Sequence, residues 1–464
     1  MLYIKGPESH GVKHSDWKMG VSGEGFPPLA YEPVVRADDG NFPCEEIRKS
    51  LDSSGVAVVR QVLSEDEATT LYQYIDEMMG QRLPYGANDS GLIGLGFPLD
   101  KKIMQLRMNP DILKIFQDTY MRPASDAAQI MFEERKTVPF GFKLLHTPSA
   151  ETLATFLCSN LCISKQELER LGFTSFAHDA CVQATTEGVA RYFVLESRML
   201  MSMDRFAYLP EESQDRPRKR RKVSTKKSMG PWHKKHMGIS NGGLNMHVDV
   251  GEGEGRKIED KLRAQFERPC IQGQLVLREV KTGGPTLIVK PGAYTKTLPD
   301  YEVCLQKKRK DDYVPWDEQG YQMYAGQVRA VYNLKPGDLV LWFSGTPHGN
   351  QHGNHDGRCV VFLAALPKSI NTRETNKELQ KQKLLAAASG STTTHWATPV
   401  KFEHGGRHFS HRPGGLEPLY HDAFQKLKQD LASAKKSHEL DQKVGEMLLE
   451  RYGPALLESM HMFL

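Results

Sequence analysis

The apolar residues of this chain fall into two periodicities. Short runs bounded by glycine, proline or charge have the β-branched and aromatic content of strands: 55–62 (Gly-Val-Ala-Val-Val-Arg-Gln-Val), 188–195, 199–208, 271–277, 286–289, 339–343 and 359–366. The last is too apolar and too short for anything but a buried strand or a buried piece of helix. Helical spacing runs along both flanks. Ser64 and Glu67 form a capping box ahead of a stripe at Leu71, Tyr74, Ile75, Met78 and Met79. Asn109-Pro110 opens a second helix whose inner residues are Ile112, Leu113, Ile115 and Phe116. In the tail, 372–388 is charged and alanine-rich, and 417–436 and 440–460 repeat the helical pattern. The distribution predicts an α+β fold, β-rich in the middle and helical at both ends.

The layout that follows is an N-terminal arm at 1–44, rich in Gly, Pro and charge and read as extended or loosely packed. A β-rich domain at 45–370 comes next, with insertions at about 123–188, 209–240 and 294–333, and a helical extension closes the chain at 371–464. The first insertion has helix-like stretches at 150–158 and 164–171. A charged, helix-like excursion fills 256–266. Gly91 to Pro98 is glycine-rich and apolar but lacks the strand-to-helix context of a phosphate loop.

Composition narrows the function classes only a little. With 464 residues, 39% apolar and 25% charged, the chain reads as an ordinary globular protein, and a net charge of +4 is too small to name a polyanionic partner. Seven scattered cysteines argue against a disulfide framework and for a reducing compartment. Cys158, Cys162, His178 and Cys181 have a spacing that suits zinc, although the apolar residues around the first pair suit a buried helix equally. The chain shows neither a charged-then-apolar leader nor a run as long as a membrane span, which predicts a protein of the cell interior.

Local charge is more informative. Residues 216–227 hold eight basic side chains in twelve positions with no acid, a run that must be solvated. It reads as a bland surface loop, as a nuclear-import signal, or as a contact for nucleic acid or an import receptor. Location is therefore expected to be nucleus or cytoplasm. Lys307 to Lys310 with Tyr313, Trp316, Tyr321 and Tyr324 could stack on rings or simply fasten a long loop. His404, His408 and His411 fit a polar loop better than a metal tract.

The candidate chemistry sits at His247-Val-Asp249. Alternate side chains of a strand share a face, so an imidazole and a carboxylate project together there. That pair is two-thirds of the facial set that holds ferrous iron and leaves positions open. About a hundred residues on, a turn (Lys335-Pro-Gly-Asp338), an apolar strand and a second turn deliver His348. His348 ends the strand, whereas His352 and His355 lie in a Gly-Asn-rich loop, so His348 is the third candidate ligand and His352 the runner-up. Arg358 opens the next apolar strand and offers a planar fork for a carboxylate.

These segments resemble a known family. Leu244 to Val250, Gln272 to Leu275, Thr282 to Ala293, Lys335 to Asn350 and Gly357 to Leu366 look like the phytanoyl-CoA dioxygenase-like branch of the Fe(II)- and 2-oxoglutarate-dependent oxygenases. Gly55 to Ala68 and Thr392 to Trp396 are similar as well, and the likeness is dense only from 244 to 366. It implies a double-stranded β-helix (jelly roll) with flanking N-terminal and C-terminal helices. Iron would sit on His247, Asp249 and His348, and 2-oxoglutarate would rest on Arg358, with Asn350 and Gln272 as further contacts by their place in the pattern. Dioxygen and a small-molecule or lipid-like substrate would complete the reaction. A nuclear oxygenase acting on nucleic acid or protein, and a catalytically silent binding protein on the same fold, remain the alternatives.

Overall fold

A computed structural model of the chain describes residues 26–82, 92–93, 100–120, 142–144, 193–195, 199–202, 204, 206–209, 246–249, 270–292, 313–316, 320, 323–351, 356–367, 387 and 437–459. These residues form a mixture of helices and antiparallel sheets. The strands are β1 (Val56–Val59), β2 (Leu92–Ile93), β3 (Phe142–Leu144), β4 (Phe193–Leu195), β5 (Met199–Met201), β6 (Phe206–Leu209) and β7 (His247–Asp249). They continue as β8 (Ile271–Val276), β9 (Thr286–Val289), β10 (Tyr313–Pro315), β11 (Arg329–Ala330), β12 (Leu339–Phe343), β13 (His348–Gln351) and β14 (Arg358–Pro367).

Twelve of these strands build two sheets. One has seven strands in the order β1-β12-β8-β14-β6-β2, with β5 also on β14; the other has five in the order β10-β7-β13-β9-β11. β3 and β4 pair by themselves. The helices are α1 (Cys44–Ser54), α2 (Glu65–Arg82), α3 (Lys101–Arg107), α4 (Pro110–Tyr120), α5 (Ser437–Tyr452) and α6 (Pro454–Ser459).

Period-two alternation sorts the seven-stranded sheet into two faces. Ala57, Val59, Leu275, Leu339, Leu341, Phe343, Cys359, Val361 and Leu363 point to the helices, where Ile47, Leu51, Ile75, Ile112, Phe116, Val444, Leu448 and Tyr452 meet them in one apolar core. Their strand neighbours Val56, Val58, Val276, Val340, Trp342 and Val360 point the other way, into a second core shared with Leu287, Ile288, Val289 and Ala330 of the five-stranded sheet. The result is three layers, helices on sheet on sheet. Gly273 lies where α4 comes closest to the sheet: a Cβ there would stand 3.1 Å from the Phe116 ring and 3.0 Å from Leu341.

The predicted helix starts hold. Ser64 and Glu67 cap α2 reciprocally, Ser64 N–H donating to Glu67 Oε2 at 2.9 Å and Glu67 N–H to Ser64 Oγ at 3.2 Å. Asn109 Oδ1 accepts from the backbone N–H of Asp111 at 2.9 Å at the head of α4. The 440–460 pattern is helical but breaks between α5 and α6 at Gly453, whose φ is +75°.

Several expectations need correction. The N-terminal arm is not loose from residue 26 on: Phe26, Leu29, Val34 and Phe42 are buried, and Val34 bridges to Val59. Helix α1 follows it directly. The 199–208 run is two strands, because the register against β14 slips by one residue between Met201↔Ala365 and Phe206↔Val361, as a bulge does. The 294–333 segment is not wholly an insertion, since β10 and β11 within it are the outer strands of the five-stranded sheet. Trp316 and Tyr324 are buried there with ring centroids 5.8 Å apart and fasten the segment to the core.

The helix-like stretches at 150–158, 164–171, 256–266 and 417–436, the Cys158–Cys181 group, the basic run 216–227, Lys307 to Lys310, His352, His355, Thr392 to Trp396 and the 404–411 histidines lie outside the described residues. Of the 372–388 stretch, only Ala387 is described; it is helical and buried. Among the described residues, no helix is long and apolar enough to cross a membrane.

Candidate metal centre

β7 and β13 lie side by side in the five-stranded sheet with His247 directly opposite His348. This pairing brings together residues about a hundred positions apart. His348 does not end the apolar strand as expected. β12 ends at Phe343, the chain turns through 344–347 and crosses to the other sheet, and His348 opens β13 there. Asp249, two residues along β7, projects from the same face as His247.

One ligand atom from each of His247, Asp249 and His348 lies within 4.8 Å of the other two. Asp249 Oδ2 is 3.2 Å from His348 Nε2, and Oδ1 is 3.7 Å from His247 Nε2. The two imidazole rings are 4.4 Å apart between centroids and inclined at 51°. Asp249 and His348 are buried; His247 is more open, its side chain 19% exposed against 6% for His348.

The orientation of His348 is fixed from behind. Its Nδ1 is 2.8 Å from the carbonyl oxygen of Thr346, which can only accept, so Nδ1 carries the proton. That leaves Nε2, which faces a carboxylate oxygen of Asp249, as the ring atom that could bind a cation placed between them. A partner on the far nitrogen is also how metal-binding histidines are normally held. Thr346 is anchored in turn, its hydroxyl donating to the carbonyl of Gly55 at 3.2 Å. Gly55 ends α1 at φ +76°, and a Cβ there would stand 2.6 Å from Thr346 Oγ1. Two nitrogens and a carboxylate on one side of an ion form the set that suits ferrous iron, and the site as built fits it.

Asp249 is held by the facing sheet. Gln272 Nε2 donates to its Oδ2 at 2.6 Å, and the Asp249 N–H donates to Ser344 O at 2.9 Å. Gln272, expected from the resemblance to contact the co-substrate, steadies the acid. Gln274 follows on the same face of β8, and its Oε1 accepts from Arg358 Nη2 at 2.8 Å. Arg358 Nη1 donates to Asn350 Oδ1, also at 2.8 Å, and Asn350 stands two residues after His348 on β13. On both strands, therefore, one residue marks the triad and the next on that face marks Arg358, a separation of ~7 Å along the strand.

Arg358 is 3% exposed and, among the described residues, has neutral amides as its hydrogen-bond partners and no carboxylate. Its Nε is buried without an acceptor. Burial pulls the guanidinium down from 12.5 to about 10, which leaves it charged at neutral pH. A buried cation with no anionic partner among the described residues can take up a carboxylate.

The six residues singled out in the sequence form two groups, His247, Asp249 and His348 with Gln272, and Arg358 with Asn350, set one strand step apart. Gln274 and Thr346 were missed. Two glutamines at alternate positions of an otherwise apolar strand were a visible signal for Gln274. Thr346 gave none.

No family model matches the chain, and no curated protein matches it in sequence. Some solved structures overlap it at low similarity. The GlcNAc Inducible Gene 2 protein of Candida albicans, a DUF1479 protein, is 14% identical, with TM-score 0.42 over 93% of this chain and 90% of that one. The hypothetical protein JW0805 of Escherichia coli is 14% identical, with TM-score 0.42 over 89% and 88%. EvdO2 of Micromonospora carbonacea var. aurantiaca, solved with 2-oxoglutarate, is 13% identical, with TM-score 0.30 over 73% and 94%. Likenesses this distant establish neither family nor activity, so function must be argued from the site.

Proposed function

We infer that this protein is an Fe(II)- and 2-oxoglutarate-dependent dioxygenase of the phytanoyl-CoA dioxygenase-like kind, hydroxylating a C–H bond of a small-molecule or lipid-like substrate. The observation that carries the reading is the coupling of two half-sites, a His-Asp-His cluster and a buried, anion-seeking arginine, one strand step apart on both β8 and β13. That step of ~7 Å is about the reach of a five-carbon dicarboxylate between its two ends. A double-stranded β-helix is supported by the path of the chain, which passes from one sheet to the other at β6–β7, β7–β8, β8–β9, β11–β12, β12–β13 and β13–β14.

In this reading His247, Asp249 and His348 hold the metal. Gln272 keeps the Asp249 carboxylate turned toward it, and Thr346 keeps the lone pair of His348 Nε2 available. Arg358 takes the outer carboxylate of the oxo acid, its plane fixed by Asn350 and Gln274. Iron and 2-oxoglutarate, when bound, would let dioxygen serve as the oxidant, one oxygen atom entering the substrate C–H bond and the other the oxo acid, which leaves as succinate and carbon dioxide. No side chain is needed as a general acid or base. The apolar walls, Val340, Val360 and Trp342 on one sheet and Leu287 and Val289 on the other, keep water from the reacting groups. Substrate approaches past His247, the most open of the three ligands.

The test is succinate formation from 2-oxoglutarate by the full-length chain with iron, with and without candidate substrates. The reading expects turnover that disappears in His247→Ala. Turnover undiminished in that variant, or none in the wild type under any condition, overturns it; the second outcome leaves a silent binding protein.

A further inference from the structure

Trp342 lies in the core between the sheets and is 2% exposed, and its indole Nε1 is buried without an acceptor. On β12 it stands directly opposite Gln272, the residue that holds Asp249. Its ring centroid is 5.5 Å from that of His348, inclined at 54°. The indole is therefore bracketed by two groups of the metal centre, on the side away from Arg358. We propose that Trp342 is a further ligand-binding residue of this site. Its N–H donates a hydrogen bond to the carboxylate that the oxo acid places at the metal end, while Arg358 takes the other carboxylate.

This rests on the reading of the site as a 2-oxoglutarate centre. An indole N–H only donates, so its partner must be an acceptor, and nearly all buried donors in folded proteins have one. The nearby Gln272 turns its NH2 to Asp249, and its carbonyl oxygen does not take the indole proton. Were the ring mere filling, phenylalanine would serve as well and would bury no donor, as Phe343 does on the opposite face of the same strand. A polar-tipped ring is the choice where the tip meets a ligand.

Trp342→Phe keeps a ring and removes the donor. The full-length chain is loaded with Zn(II), a redox-inert ion, and titrated with 2-oxoglutarate by calorimetry alongside Arg358→Ala. The expected result for Trp342→Phe is unchanged Zn(II) affinity and about tenfold weaker 2-oxoglutarate binding. Its ligand-free melting temperature should equal or exceed that of the wild type, with a smaller rise on adding ligand. A measurement on the wild type itself guards against a variant that folds poorly: the Trp342 indole proton resonance of the Zn(II)-loaded protein should move downfield when 2-oxoglutarate is added.

If Arg358→Ala weakens binding while Trp342→Phe binds as the wild type does, or the indole resonance stays put, this inference fails and the oxygenase reading stands. If the wild type binds no 2-oxoglutarate, both fall together.

Discussion

The side-chain amide of Gln272 donates to Oδ2 of Asp249 at 2.6 Å, reaching from one sheet to an acid on the other. Because Asp249 also faces two imidazoles, this bond decides which way its second oxygen points. Gln272→Leu removes the tether while keeping bulk on the strand. We expect ferrous or Zn(II) affinity to fall ~10–100-fold, as for other partners that orient metal ligands. Equilibrium dialysis measures it, and unchanged affinity would show that Asp249 needs no support.

Arg358→Ala should act on the oxo acid and not on the metal. Loss of charge-assisted bonds costs about 1.5–3 kcal/mol, or roughly 10–150-fold in 2-oxoglutarate affinity, with metal affinity unaltered.

The same arginine sets a pH dependence. Burial lowers its proton affinity, so the guanidinium is charged at neutral pH and loses its charge as pH rises through about 10. Wild-type 2-oxoglutarate affinity should therefore fall as pH climbs toward that value, and Arg358→Ala should lack the fall. Calorimetry across the range reads both.

Gly55→Ala tests the support of His348 from α1. At φ +76°, with Thr346 Oγ1 2.6 Å from the new Cβ, an alanine is strained and must displace Thr346. The left-handed conformation alone costs about 1–2 kcal/mol. Denaturant unfolding should show at least that loss, and metal affinity should weaken because the Thr346 carbonyl holds His348 Nδ1.

Phe116→Ala separates fold from site. Phe116 is fully buried against the helix-side face of the seven-stranded sheet, and truncating such a ring costs about 3–5 kcal/mol. Metal affinity of the molecules that remain folded should not change, since no residue of the centre lies on that face.

What the sequence disclosed follows the range of the forces involved. The α2 cap was legible because Ser64 and Glu67 are three residues apart, and β8, β9, β12 and β14 were legible because buried strands must be apolar. Helix α1 was not, since only Ile47 and Leu51 of its eleven residues are buried and its surface is Ser, Asp, Lys and Glu. β13 was hidden for a related reason: His-Gly-Asn-Gln has no apolar residue, and its burial comes from the pairings with β7 and β9. For the site, residue types in order along the chain pointed to the triad and to Arg358. The hydrogen bonds from Gln272 to Asp249 and from Arg358 to Asn350 depend on which strands become neighbours between sheets, and no local pattern encodes that.

The most direct test of the metal centre is anaerobic equilibrium dialysis of the full-length chain against Fe(II), comparing the wild type with His247→Ala, Asp249→Ala and His348→Ala. The account predicts one tightly held ion per wild-type chain and loss of that ion in each variant, with the variants still folded. A wild type that retains no iron, or variants that retain it as the wild type does, would contradict it.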